Sequence, residues 1–147
     1  MENRWGAWLR WSFVAGAIVD GVAAIILVRP ALLHSFFGLD IEPLGAGLVL
    51  SLGYAAALMA GWTALLTWAS FDPIPRAFVG PLTACPVILG LVAAEGAALL
   101  HGEVSAAKVA PMMALQIAGC IGWLALYAAA RRDSLGSRPA RSEPHPR

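Results

Sequence analysis

The sequence predicts an all-α integral membrane protein, an antiparallel four-helix bundle with a short interfacial helix after the first span. Three observations carry that prediction. The 147 residues are 59% hydrophobic and only 13% charged, with a mean hydropathy of +0.72, whereas a water-facing domain carries about 25% charged residues. The ten Lys/Arg and nine Asp/Glu gather mostly at the ends and in three short gaps. Between them run four continuous apolar stretches, without the alternation of a transmembrane barrel. This composition excludes a soluble enzyme, a nucleic-acid binder and a disordered chain. A net charge of +1 also provides no field for a polyanion.

A bilayer core of about 30 Å takes roughly 20 helical residues at about 1.5 Å each. The first span is predicted at 8–28, stopped by Arg29-Pro30. Its apolar part is too long for a cleaved signal, it contains Asp20, and three more spans follow, so it reads as a retained helix. In the next gap Pro30 opens and Gly38 closes a segment whose Leu32, Leu33, Phe36 and Phe37 share one face. A two-turn helix lying in the headgroup layer is predicted there. The second span is predicted at 44–68 and closes before Asp72-Pro73-Ile74-Pro75-Arg76. The third is predicted at 78–100, bent or loosened by Pro81 and Pro86 and ended by His101-Gly102-Glu103. The fourth is predicted at 109–130, with Pro111 near its first turn and Arg131-Arg132-Asp133 after it. Residues 1–132 thus form the transmembrane domain. Residues 133–147, rich in Arg, Ser and Pro, read as a disordered tail.

Orientation follows the Lys/Arg bias. Arg4, Arg10, Arg76, Arg131, Arg132, Arg138, Arg141 and Arg147 fall on one side, against Arg29 and Lys108 on the other. Both termini are therefore expected in the cytoplasm. Trp5, Trp8, Trp11 and Trp68 fall at the same interface, where amphipathic rings prefer to sit.

Small residues mark close helix contacts in lipid. They recur at four-residue steps as Gly53, Ala57 and Gly61 in the second span and as Ala110, Ala114, Ala118 and Gly122 in the fourth. Ala17 with Gly21, and Ala94 with Ala98, do likewise. These stripes are expected to face one another inside the bundle. A short likeness between the stretches 16–24 and 90–98, each with an acid-Gly pair, leaves an internal duplication open.

Each span also carries one polar group: Asp20, Tyr54, Glu95 and Gln116. Counting about 1.5 Å per residue, all four fall roughly 3–8 Å to the outer side of the midplane, with Ser51 near the same band. An ionised carboxyl at the bilayer centre costs about 2.5–3.5 kcal/mol on insertion scales, so these groups are expected inside the bundle. Three readings stay open: mutual hydrogen bonds that fix packing register, a polar pocket open to the outer face, or an acid at an oligomer contact. His34 and His101 would contribute only at the outer surface. Cys85 and Cys120 read as inert thiols at different depths, and neither a metal nor a cofactor site is predicted.

The first span leading into Pro30-Ala31-Leu32-Leu33, then Phe36-Phe37-Gly38-Leu39 and a Gly-rich second span, resembles small bacterial four-helix membrane proteins of the DoxX-like group. The resemblance covers about the first half of the chain. It implies a multi-pass protein of the bacterial inner membrane, and no residue here matches the redox motifs of some relatives. Small multidrug exporters also have four helices and an acid in the first, where Asp20 would exchange protons and cations. Glu95, the long first gap and the charge bias depart from that pattern. The expectation is a non-enzymatic structural or accessory subunit embedded in lipid, with a homo-oligomer or membrane-complex partner and no nucleic acid. The alternative is a small proton-coupled transporter, or an outer-face binder of a cation or amphiphile, using Asp20 and Glu95.

Overall fold

The computed structural model describes residues 4–29, 32 and 45–136, with side chains through Arg132. Among the described residues, four helices, each long and apolar enough to cross a bilayer, make an all-α bundle. They are α1 (Arg4–Leu27), α2 (Ala46–Phe71), α3 (Val79–Leu100) and α4 (Ala106–Gly136). The predicted interfacial helix and His34 lie outside the described residues, apart from Leu32, whose N–H reaches the Arg29 carbonyl at 2.9 Å. Helix α4 continues through Arg131-Arg132-Asp133 to Gly136, beyond the predicted end of the fourth span.

α1 packs along α2 and also against α4, and α4 packs against α3. Leu9, Leu66, Ala69, Ala77, Val79 and Ala130 share one buried cluster, which places both ends of the bundle's chain and the α2–α3 turn together. We call this the terminal end, and the other, carrying the α3–α4 turn, the loop end. Phe13, Leu9, Leu66 and Val79 are completely buried there. Trp62, Leu65, Trp123, Leu126 and Tyr127 pack around them. Trp123 is the centrepiece. A side chain at Gly16 would meet its ring at 2.8 Å, and one at Gly80 would lie 3.7 Å from its Cβ. Gly16 on α1 thus seats the α4 indole. The terminal end is also marked by cation–aromatic pairs, with Arg76 4.0 Å above the Trp68 ring. Arg76 donates to the Trp68 carbonyl as well, which places a positive charge at the α2 C-terminus.

Helix α3 is not uniform. Pro81 sits in its first turn, where a missing N–H leaves no bond unmade. Pro86 alone disturbs the helix, which widens to a π turn over Thr83–Ile88. Proline lacks the N–H and its ring crowds the carbonyl four residues earlier, and a wider turn relieves both. Thr83 supports the widened turn by donating its hydroxyl to the Val79 carbonyl at 2.8 Å. At the loop end α3 stops in a glycine cap: Gly102 has φ 72°, and the Glu103 and Gly102 N–H groups reach the Ala98 and Leu99 carbonyls at 2.9 and 3.1 Å. Pro111 lies within α4, not at its first turn, because that helix begins at Ala106. The carbonyl it orphans is that of Ala107, which is exposed.

The small-residue stripes of α2 and α4 correct an expectation, whereas on α1 Ala17 is buried in the core and Gly21 stands against Thr63 of α2. Gly53, Ala57 and Gly61 on α2, and Ala110, Ala114, Ala118 and Gly122 on α4, are all exposed. A side chain added at Gly53, Gly61 or Gly122 would meet nothing within 4 Å. Only 6% of the apolar stretch of α2, and of α4, is buried by the rest of the chain. Trp62 and Trp123 pack against the core, and the smooth faces of α2 and α4 turn outward. The two stretches compared for duplication also differ in surroundings, since Gly16 is pressed on Trp123 whereas Gly90 is open.

Candidate functional site

The α3–α4 seam builds upward from the π turn. Ala84, Ile88 and Val92 recur every four residues on one face of α3 and pack with Cys120 and Trp123 of α4. The Cys120 thiol donates weakly to the Ala84 carbonyl at 3.8 Å. One turn further toward the loop end, the same faces present Glu95 and Gln116. There the Gln116 Nε2 donates to Glu95 Oε1 at 2.9 Å. The other oxygens of the pair, Glu95 Oε2 and Gln116 Oε1, are buried and have no hydrogen-bond partner. This half of α3, Leu89–Leu100, has no buried residue of its own. Here a polar link stands in place of a core.

The other predicted polar residues are not gathered with this pair. Asp20 lies one turn beyond Gly16 on α1, partly buried, and is bonded to neither Tyr54, Glu95 nor Gln116. Tyr54 is 63% exposed, on the same outward face as Leu50 and Leu58. An amphipathic ring is tolerated in lipid when its hydroxyl can reach toward the headgroups, so Tyr54 needs no interior partner. Ser51 is exposed and returns its hydroxyl to the Gly47 carbonyl at 2.9 Å. His101 is exposed in the turn after α3. The expected four-helix constellation is thus reduced to one pair.

One polar contact escaped sequence reasoning. Trp62 Nε1–H donates to Thr83 Oγ1 at 3.1 Å, tying α2 to the π turn of α3. Its signal was a threonine three residues before a mid-helix proline, where a side chain must help the backbone. Cys85 and Cys120 are free thiols, one exposed and one buried. Among the described residues no group of three His, Cys, Asp or Glu side chains could hold a metal ion. Between α1 and α2 an apolar groove of about 410 Å³ runs past Ala24, Ile25 and Val28 on one side and Gly53, Ala57 and Ala60 on the other. Comparison with protein-family models, with curated proteins and with solved structures finds no match for this chain.

Proposed function

We propose that this multi-pass α-helical membrane protein is a non-enzymatic accessory subunit that docks transmembrane helices of a membrane complex. One observation carries the reading: the four-residue repeats of Gly and Ala on α2 and α4 face away from the bundle. Between helices in lipid, association rests on close backbone approach, and four-spaced small residues are what permit it. The α2 repeat also forms one wall of the α1–α2 groove, so that face has depth as well as smoothness. In this reading the protein is DoxX-like and sits in a bacterial inner membrane with both termini cytoplasmic. The Lys/Arg bias and the row of Trp and Arg at the terminal end support that orientation. A transporter built on Asp20 and Glu95 together finds less support, because no hydrogen bond joins the two acids.

The test uses positions where the fold itself leaves room. Gly61→Leu with Ala118→Leu adds bulk only on outward faces. Native membranes extracted in mild detergent should show the wild-type chain in an assembly larger than a monomer. The double variant should run as a monomer with unchanged helix content. Identical monomeric migration of both proteins would refute the accessory role.

A further inference from the structure

We propose that Glu95 and Gln116 form a proton-binding site between the loop-end halves of α3 and α4. A proton on Glu95 Oε2 is shared with Gln116 Oε1 and closes a two-point acid–amide pair. The argument begins with what the pair lacks. One bond, Gln116 Nε2–H to Glu95 Oε1 at 2.9 Å, is made. The two remaining oxygens are both acceptors while Glu95 is a carboxylate, and both are buried without a donor. A buried polar group in a membrane span must find its partner inside the protein.

A single proton satisfies both orphans at once. It turns Oε2 into a donor and leaves the amide oxygen as its acceptor, while the existing N–H bond stays in place. The terminal torsions of Glu and Gln are broad, so the carboxyl and amide planes align without leaving a rotamer well. Size selects the same ligand. Each orphan oxygen has less than 1 Å² of accessible surface, so neither a water nor a metal ion reaches it without parting the helices. A proton requires no space. The binding step is H⁺ from the medium adding to the carboxylate, with no other bond made or broken.

The surroundings leave the site to this pair. On α4 the titratable groups are Lys108 at the loop end, and Cys120, Tyr127, Arg131, Arg132 and Asp133 toward the terminal end. Cys120 is turned to the Ala84 carbonyl. On α1 the acid is Asp20, on α3 the exposed Cys85 lies in the π turn, and after α3 stand the exposed His101 and Glu103. Among the described residues only Gln116 is hydrogen-bonded to Glu95. Because Leu89–Leu100 has no buried residue, this pair is the polar tie of the loop-end seam, and loss of the proton would set two acceptors against each other across it.

Infrared spectroscopy of the full chain in phosphatidylcholine vesicles tests the site. The wild-type protein should show a protonated-carboxyl carbonyl band that shifts on deuteration. Glu95→Gln should remove that band, because an amide pair keeps both hydrogen bonds and folds without a titratable proton. Asp20→Asn should leave it. Absence of the band in the wild type, or its survival in Glu95→Gln, would overturn the proposal, with circular dichroism confirming equal helix content in each sample. This outcome is independent of the docking role, which concerns other faces of the molecule.

Discussion

The two ends of this bundle are held by different physics. At the terminal end, Phe13, Leu9, Leu66 and Val79 are sealed with Trp123 packed against them, and Gly16 lets α1 close on its indole. At the loop end, the Leu89–Leu100 half of α3 has no fully buried residue, a side chain added at Gly90, Gly96 or Gly119 would meet nothing within 4 Å, and a Glu95–Gln116 hydrogen bond links the helices. Lipid tails are as apolar as leucine, so no hydrophobic force compacts the chain uniformly. Helices come together only where shapes interlock or polar groups pair. The terminal end takes the first route and the loop end the second. What neither route covers is the outward Gly/Ala surface of α2 and α4.

The contrast can be broken most severely at Gly16. Gly16→Leu would place atoms inside the Trp123 and Leu66 side chains, whose nearest approaches to a Cβ there are 2.8 and 3.1 Å. We expect a loss of about 3 kcal/mol or more, at the upper end of overpacking, read by denaturant titration in bicelles. The matched change Gly53→Leu, which meets nothing within 4 Å, should alter stability by no more than about 0.5 kcal/mol. Equal losses would abolish the distinction between the ends.

Truncating the core gives the next largest effect. Phe13→Ala should cost about 3 kcal/mol, the low end for a core phenylalanine, since in lipid the loss is chiefly packing. At the loop end Gln116→Leu should cost about 1–3 kcal/mol, because it leaves the buried Glu95 carboxyl without a partner. Hydrogen exchange localises the two: Phe13→Ala should loosen the terminal end, and Gln116→Leu only α3 beyond Ile88 and the start of α4.

Smaller still is Thr83→Val, which removes the acceptor for Trp62 Nε1–H. Interhelical hydrogen bonds in membranes average about 0.6 kcal/mol, so a loss of that order is expected, together with a shift in Trp fluorescence. Tyr54→Phe should change stability by less than about 0.5 kcal/mol, because the ring already faces outward. A large loss there would return Tyr54 to the interior.

The spans were legible because hydrophobic run length is set by bilayer thickness and punctuated by charge and proline. Arg29, Asp72 to Arg76 and His101 to Glu103 stand at or near helix ends as expected. The π turn was half legible: Pro86 announced a disturbance, but Pro81 escaped it by falling in a first turn. Asp20 and Glu95 were expected inside the bundle by cost, since lipid tolerates a buried acid only beside a partner, and Glu95 has one in Gln116. Tyr54 and Gln116 were grouped with the two acids by depth, and depth does not determine which way a helix is rotated. Leu50 and Leu58, four residues either side of Tyr54, carried the information that its face was apolar. The α2 and α4 stripes were misread for a related reason. Small residues mark a contact, yet sequence cannot say whether that contact is within the chain or with another.

Spin-label accessibility along α2 decides that question most directly. Single cysteines at Gly53, Ala57 and Gly61, in a chain with Cys85 and Cys120 replaced by alanine, report collision with lipid-dissolved oxygen. Labels at Leu50 and Leu58 serve as outward-facing references. In purified, vesicle-reconstituted protein the small-residue positions should be as lipid-accessible as the references. In native membranes the account predicts that 53, 57 and 61 become shielded together while Leu58 stays accessible. Full lipid accessibility at all three positions in native membranes would contradict it.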